Sequence, residues 1–141
     1  MLRTFLLSLI FIMNSEIQEY NNLLNGEEKK ICDTLVEEIT KHLKGTTSKI
    51  RHGHPVRFLE ENPIVGYSKQ KRGIVLLFWS GQSFEEAGLS AEGTFKAAEK
   101  VYTSSDQIDI EELENWLKKS RAIQRDYKNI VKCKGQLERL S

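Results

Sequence analysis

Ile74-Val75-Leu76-Leu77-Phe78-Trp79 is the stretch on which the fold turns. Gly73 and Ser80-Gly81 bound it, and the whole run reads as one strand. A strand with one face in water alternates apolar and polar residues, because successive side chains point to opposite faces. This one does not alternate, so both of its faces are expected to be covered. Helices supply one cover. The other face is expected to meet a further chain segment, a ligand or a second subunit.

Outward from this strand the pattern is legible in both directions. On its N-terminal side, Lys69-Gln70-Lys71-Arg72-Gly73 makes a polar turn, preceded by short strand signals at 49–52, 56–59 and 63–67. Gly53, Pro55, Asn62 and Pro63 punctuate them. Earlier still, the spacing predicts helices over 15–25 and 27–44. In the second, Ile31, Leu35, Ile39 and Leu43 form an i, i+4 row widened by Cys32 and Val36. Asn25 with Glu28 has capping-box spacing, and Gly45 suits the helix end.

On its C-terminal side, Ser80 to Ser83 breaks the run and 84–93 reads as an irregular loop. Residues 94–103 are ambiguous. Phe95, Ala98 and Tyr102 have helical spacing, Phe95, Ala97 and Val101 can share a strand face, and local propensity leans helical. A last helix starts at Asp109, with Glu112 three positions on and Ile110, Leu113, Trp116, Leu117 and Ile123 as its stripe. The basic and apolar tail over 126–141 offers Tyr127, Ile130, Val131, Leu137 and Leu140 for packing.

The 141 residues suit one domain. Hydrophobic residues make up 39% and charged residues 29%, which allows both a core and a solvated surface. A net charge of +1 argues against a dedicated nucleic-acid binder. Lys69, Lys71 and Arg72 at a hairpin tip, and Lys128, Lys132, Lys134 and Arg139 in the tail, read as solubility charges. Cys32 and Cys133 lie far apart with no CxxC spacing, which fits reduced thiols and a cytoplasmic location.

Residues 1–12 hold one Arg and an apolar run too short to span a bilayer, with no cleavage motif after it. Three readings stand: an upstream start with Met13 as the true first residue, a signal-like segment or membrane anchor, and an ordered apolar helix. The first is favoured, because a complete helix signal begins directly after Met13. Residues 13–141 then form the domain.

Several segments resemble the YdhG-like family, a domain of unknown function. They are Gly53-His54-Pro55-Val56, Ile64-Val65-Gly66-Tyr67 and Leu77-Phe78-Trp79-Ser80-Gly81, then Leu89 to Gly93, Ser104 to Asp109 and Asp126 to Val131. The resemblance spans about 15–140. It implies an α+β domain in which an antiparallel sheet of four to five strands carries N-terminal and C-terminal helices. On this ground 94–103 is expected to be a strand. The resemblance also implies an iron-chaperone alternative, since some members carry that label by analogy with frataxin. The acids Glu27, Glu28, Asp33, Glu37 and Glu38 are interleaved with Lys29, Lys30 and Lys41, a departure from a frataxin-like acidic ridge.

Candidate chemistry is sparse. His52 and His54 at i, i+2 would share one face of a strand and hold a metal if a third ligand joined, with His42, Glu60 and Glu61 as the available partners. Tyr67, Phe78, Trp79, Gln82 and Phe84 bracket the apolar strand and suit either a small-molecule pocket or a dimer interface. The chain has no nucleophile elbow, HExxH, P-loop or GxGxxG signature, and no catalytic residue stands out. The leading expectation is a non-enzymatic binding module for a small ligand or a protein partner. An iron-handling protein and an enzyme with an unrecognised site are the alternatives. If Trp79 is core, Trp79→Ala is expected to cost about 3–5 kcal/mol.

Overall fold

The computed structural model describes residues 15–129 and 140, and the apolar run lies in the interior of its sheet. Two helices, α1 (Ser15–Asn22) and α2 (Gly26–His42), precede β1 (Thr47–Arg51), β2 (His54–Leu59), β3 (Asn62–Gln70) and β4 (Gly73–Phe78). A loop follows, holding the two-residue β5 (Ser90–Ala91), and then come β6 (Ala98–Tyr102) and α3 (Ile110–Ala122). The strands run β1-β2-β3-β4-β6-β5 across one antiparallel sheet. The fold is α+β as expected, with six strands rather than four or five; the additional strand is β5. The first helix stops at Asn22 rather than 25. The doubtful N-terminal segment and Cys133 lie outside the described residues.

Capping fixes both long helices as the spacing predicts. The Asn25 side chain accepts from the Glu28 amide at 2.9 Å and the Glu28 carboxylate accepts from the Asn25 amide at 3.3 Å, closing a capping box. Asp109 accepts from the Glu112 amide at 3.1 Å at the start of α3. The 94–103 segment is a strand only from Ala98, while 94–96 bends. Pairing of β6 with β4 from Ile74↔Tyr102 to Phe78↔Ala98 overrides the helical propensity of that stretch.

Two hairpins turn on two-residue loops whose backbones are left-handed throughout. Arg51 pairs with His54, leaving His52 (φ 53°) and Gly53 (φ 84°) as the turn. Leu59 pairs with Asn62, leaving Glu60 (φ 49°) and Glu61 (φ 69°). Such turns match the strand twist but favour Asn-Gly, since a Cβ is crowded at positive φ. Replacing Glu60-Glu61 by Asn-Gly is therefore expected to stabilise the protein by about 1–2 kcal/mol. The check is a rise in the denaturation midpoint with an unchanged slope. An unchanged midpoint would mean that the glutamates carry no strain.

Ile74, Leu76 and Phe78 point to the helical side, where they join Ile31, Cys32, Leu35 and Ile39 of α2 and Leu113, Trp116 and Leu117 of α3. Phe78 sits edge-on to both Phe84 and Trp116, with centroids 5.5 and 6.1 Å away. Burial pushes the Cys32 thiol up to about 12, with the Asp33 and Glu28 carboxylates adding to the shift. Thiolate is the reactive form. Cys32 is thus expected to resist iodoacetamide at pH 8 in the folded protein and to react once denaturant is added, with the site read by peptide mass spectrometry. Rapid native alkylation at Cys32 would show that this side of the core opens.

Asn62 ties the end of the chain to the sheet. Its Nδ2 donates to Gln124 Oε1 (3.2 Å) and to the Arg125 carbonyl (2.9 Å), and its Oδ1 accepts from the amides of Tyr127 (2.9 Å) and Lys128 (3.2 Å). Every hydrogen-bonding position of this buried amide is used.

Candidate functional site

The opposite face of β4 carries Val75 and Leu77, with Trp79 just past the strand end. None of them belongs to the cluster under the helices. Register extends this face sideways. Gly66 and Glu99 flank Leu77, Ser68 and Val101 flank Val75, and Val56 lies beyond Gly66. The expectation that both faces of the run are covered holds fully on one side only. Helices cover one. On the other, among the described residues, side chains of the sheet and of the turns beside it lie over the run, with Val75 3% exposed and Leu77 and Trp79 half-buried.

Three features build that cover. Toward β1, Lys49 and Arg51 lie over the ring of Phe58, at 5.3 and 5.6 Å from its centroid. At the middle, the Trp79 ring crosses Gly66, where an added Cβ would lie 3.3 Å from both Trp79 and Val56 and 2.6 Å from the Pro55 carbonyl. Glycine is required there first by the Pro55 carbonyl, and its bare backbone also gives the indole room. Toward β6, Arg72 grips Glu99 through two bonds, Nη2–Oε2 at 2.8 Å and Nη1–Oε1 at 3.3 Å, while Gln70 Oε1 accepts from Nη2 at 3.0 Å.

Between these features lies a cleft of about 240 Å³. Val75, Leu77 and Trp79 make its apolar surface, and Ser68, Gln70 and His54 bring polar groups to it. Arg72, Glu99 and Glu92 add charge. Burial, followed by the nearby His52, lowers the His54 pKa below its usual 6.5, so His54 is neutral at pH 7. A second concavity, near Ile17, Val36 and Ile39 on the helical side, holds only about 10 Å³. That is a packing crevice at or below what one water needs.

Of the residues singled out from the sequence as site candidates, Trp79, His54 and Tyr67 line this cleft. Tyr67 points to the helical side, where its hydroxyl donates to Asn21 Oδ1 at 2.7 Å. Asn21 in turn donates to Asp33, which Lys29 holds at 2.6 Å. Phe78 and Phe84 are buried in the core. Gln82 binds the loop before β6, donating to the carbonyls of Phe95 and Ala97 at 2.9 Å each.

The paired-imidazole expectation needs correction. β1 ends at Arg51, so His52 occupies the turn and His54 the next strand, and the i, i+2 rule for one face does not apply. Among the described residues no three His, Cys, Asp or Glu side chains group as a metal site. Two acids of α2 have structural partners: Glu28 closes the capping box and Asp33 binds Lys29 and Asn21; Glu38 lies 3.7 Å from His42, and its buried Oε2 makes no hydrogen bond.

Sequence reading missed Arg72, Glu99, Ser68 and Gln70, because only the β3-β4-β6 register brings them together. Arg72 looked like a solubility charge at a hairpin tip. The available signal was Glu99 itself, an acid within the short segment Ala97-Ala98-Glu99 that also carries strand character. Comparison with family models, with curated proteins and with solved structures found no match to this chain. No helix among the described residues is long and apolar enough to cross a membrane.

Proposed function

We propose that this domain is a binding module that holds a small one-ring organic ligand in the cleft between Trp79 and the Arg72–Glu99 pair. One observation carries the reading. An aromatic and aliphatic surface (Val75, Leu77, Trp79) lies beside a few polar groups, on a sheet face that no helix of the core cluster covers. Apolar walls with sparse polar anchors are what small-molecule sites need. The volume is smaller than the roughly 300–1,000 Å³ of drug-sized sites, which limits the occupant to about one ring.

Membership of the YdhG-like family is part of the same proposal, supported by the segments quoted above and by the α+β arrangement they imply. A cytoplasmic setting goes with it, since Cys32 is a free buried thiol. The iron-handling alternative lacks comparable support, because His52 and His54 sit on a turn and a strand with no third donor grouped beside them among the described residues.

The test is titration of the isotope-labelled full chain with neutral 2-phenylethanol, followed by amide chemical shifts. Shifts concentrated at Gly66, Ser68, Leu77 and Glu99, and lost in Trp79→Ala, are the expected result. Shifts scattered over the surface, or none, would overturn the reading. Sedimentation at the same concentrations separates this from a second copy of the chain laid over the same face, which would give a dimer that excludes the probe.

A further inference from the structure

We infer that the cleft selects an organic cation, a one-ring body bearing an ammonium or guanidinium group, with Glu99 as the carboxylate that receives it. The inference rests on the binding reading above and adds the charge class of the ligand. Five titratable residues line the cleft, of which Tyr67 turns its hydroxyl away to Asn21. His54 is neutral, Arg72 carries the positive charge, and Glu92 and Glu99 are acids. At pH 7 the lining therefore has two carboxylates against one guanidinium.

The two members of the Arg72–Glu99 pair are not equivalent. The Glu99 side chain is 9% exposed and fixed on a strand, whereas Arg72 is 53% exposed at a hairpin tip. Arg72 can move into water once another cation takes its place, but Glu99 cannot follow it. A desolvated carboxylate requires a cation, and Arg72 holds the place that a ligand cation would take. The same geometry disfavours an anion, because both Glu99 oxygens already engage the guanidinium that an anion would need. The Trp79 ring on the cleft wall adds an electron-rich face suited to a cation with an aromatic or aliphatic body.

The experiment compares phenethylammonium with 3-phenylpropanoate and neutral 2-phenylethanol, using amide shifts of the full chain at low salt. The ammonium probe is expected to bind at least about tenfold tighter than the carboxylate, a difference of about 1.4 kcal/mol. Arg72→Gln, which removes the internal competitor, is expected to tighten cation binding. Glu99→Gln, which frees Arg72, is expected to reverse the preference. Equal or stronger binding of 3-phenylpropanoate by the unaltered chain overturns the cation class while leaving the cleft reading in place. So does an Arg72→Gln variant that binds the ammonium no better. Absence of cleft shifts with all three probes removes both. If Glu99→Gln fails to fold, Arg72→Gln alone still decides the matter, since a structural ion pair predicts no gain in affinity from its loss.

Discussion

Replacing Asn62 by alanine is expected to cost about 3–4 kcal/mol and to release the segment that follows α3 from the sheet. The side chain donates twice and accepts twice, and all four partners lie between Gln124 and Lys128. Its removal strands the Lys128 amide and Gln124 Oε1 in a part-buried place, each costing about 1–3 kcal/mol when water does not reach it, and leaves the Tyr127 amide and the Arg125 carbonyl only their 2.9 Å bond to each other. Amide exchange gives the specific signature: Tyr127 and Lys128 lose protection while the β3-β4 ladder keeps its own. Asn62→Asp should fall between, since it keeps the acceptor for Tyr127 and Lys128 but sets a carboxylate against Gln124 Oε1 and the Arg125 carbonyl. A loss below about 1 kcal/mol with unchanged exchange would show that the segment is held by something other than this amide.

The second large effect distinguishes the two tryptophans. Trp116→Ala is expected to destabilise by about 4–5 kcal/mol. Its ring is fully buried, packs edge-on against Phe78, and donates from Nε1 to Glu86 at 3.2 Å. Lys119 binds the same Glu86 carboxylate at 2.5 Å, and these two partners with Asn115 hold its pKa below the usual carboxylate value. Trp79→Ala, by contrast, removes a half-buried ring lying over Gly66. It is expected to cost only about 1–2 kcal/mol, below the figure appropriate to a core position, while abolishing probe binding. Equal losses for the two substitutions, measured by urea denaturation, would place Trp79 in the core and take away the cleft wall.

What local chemistry encodes was legible before any coordinates. The i, i+4 row of α2, its Asn25–Glu28 box, the Asp109 cap and the strand read at 74–79, which ends at Phe78, all depend on neighbours within a few residues, and spacing reports such neighbours directly. Register is different. Nothing near Glu99 says that it pairs with Leu77, so the meeting of Glu99 with Arg72 across β4 and β6 stayed hidden. Asn62 looked like strand punctuation because its partners are more than 60 residues away. The hairpin at Glu60-Glu61 was obscured for another reason: its residues are not those that left-handed turns favour. Aromatic type alone also failed to separate wall from core. Phe78 and Trp79 are adjacent in sequence, yet strand alternation sends them to opposite faces.

The two outer borders of the sheet have a consequence for self-association. On one border, β1 presents Lys49 and Arg51, and on the other, β5 offers only two residues of backbone. Cationic side chains and a very short ladder are both poor templates for a neighbouring strand. Growth by border-to-border addition is therefore disfavoured at both ends. A second copy of this chain would have to lie flat across the ribbons, in competition with whatever occupies the hollow beside Trp79.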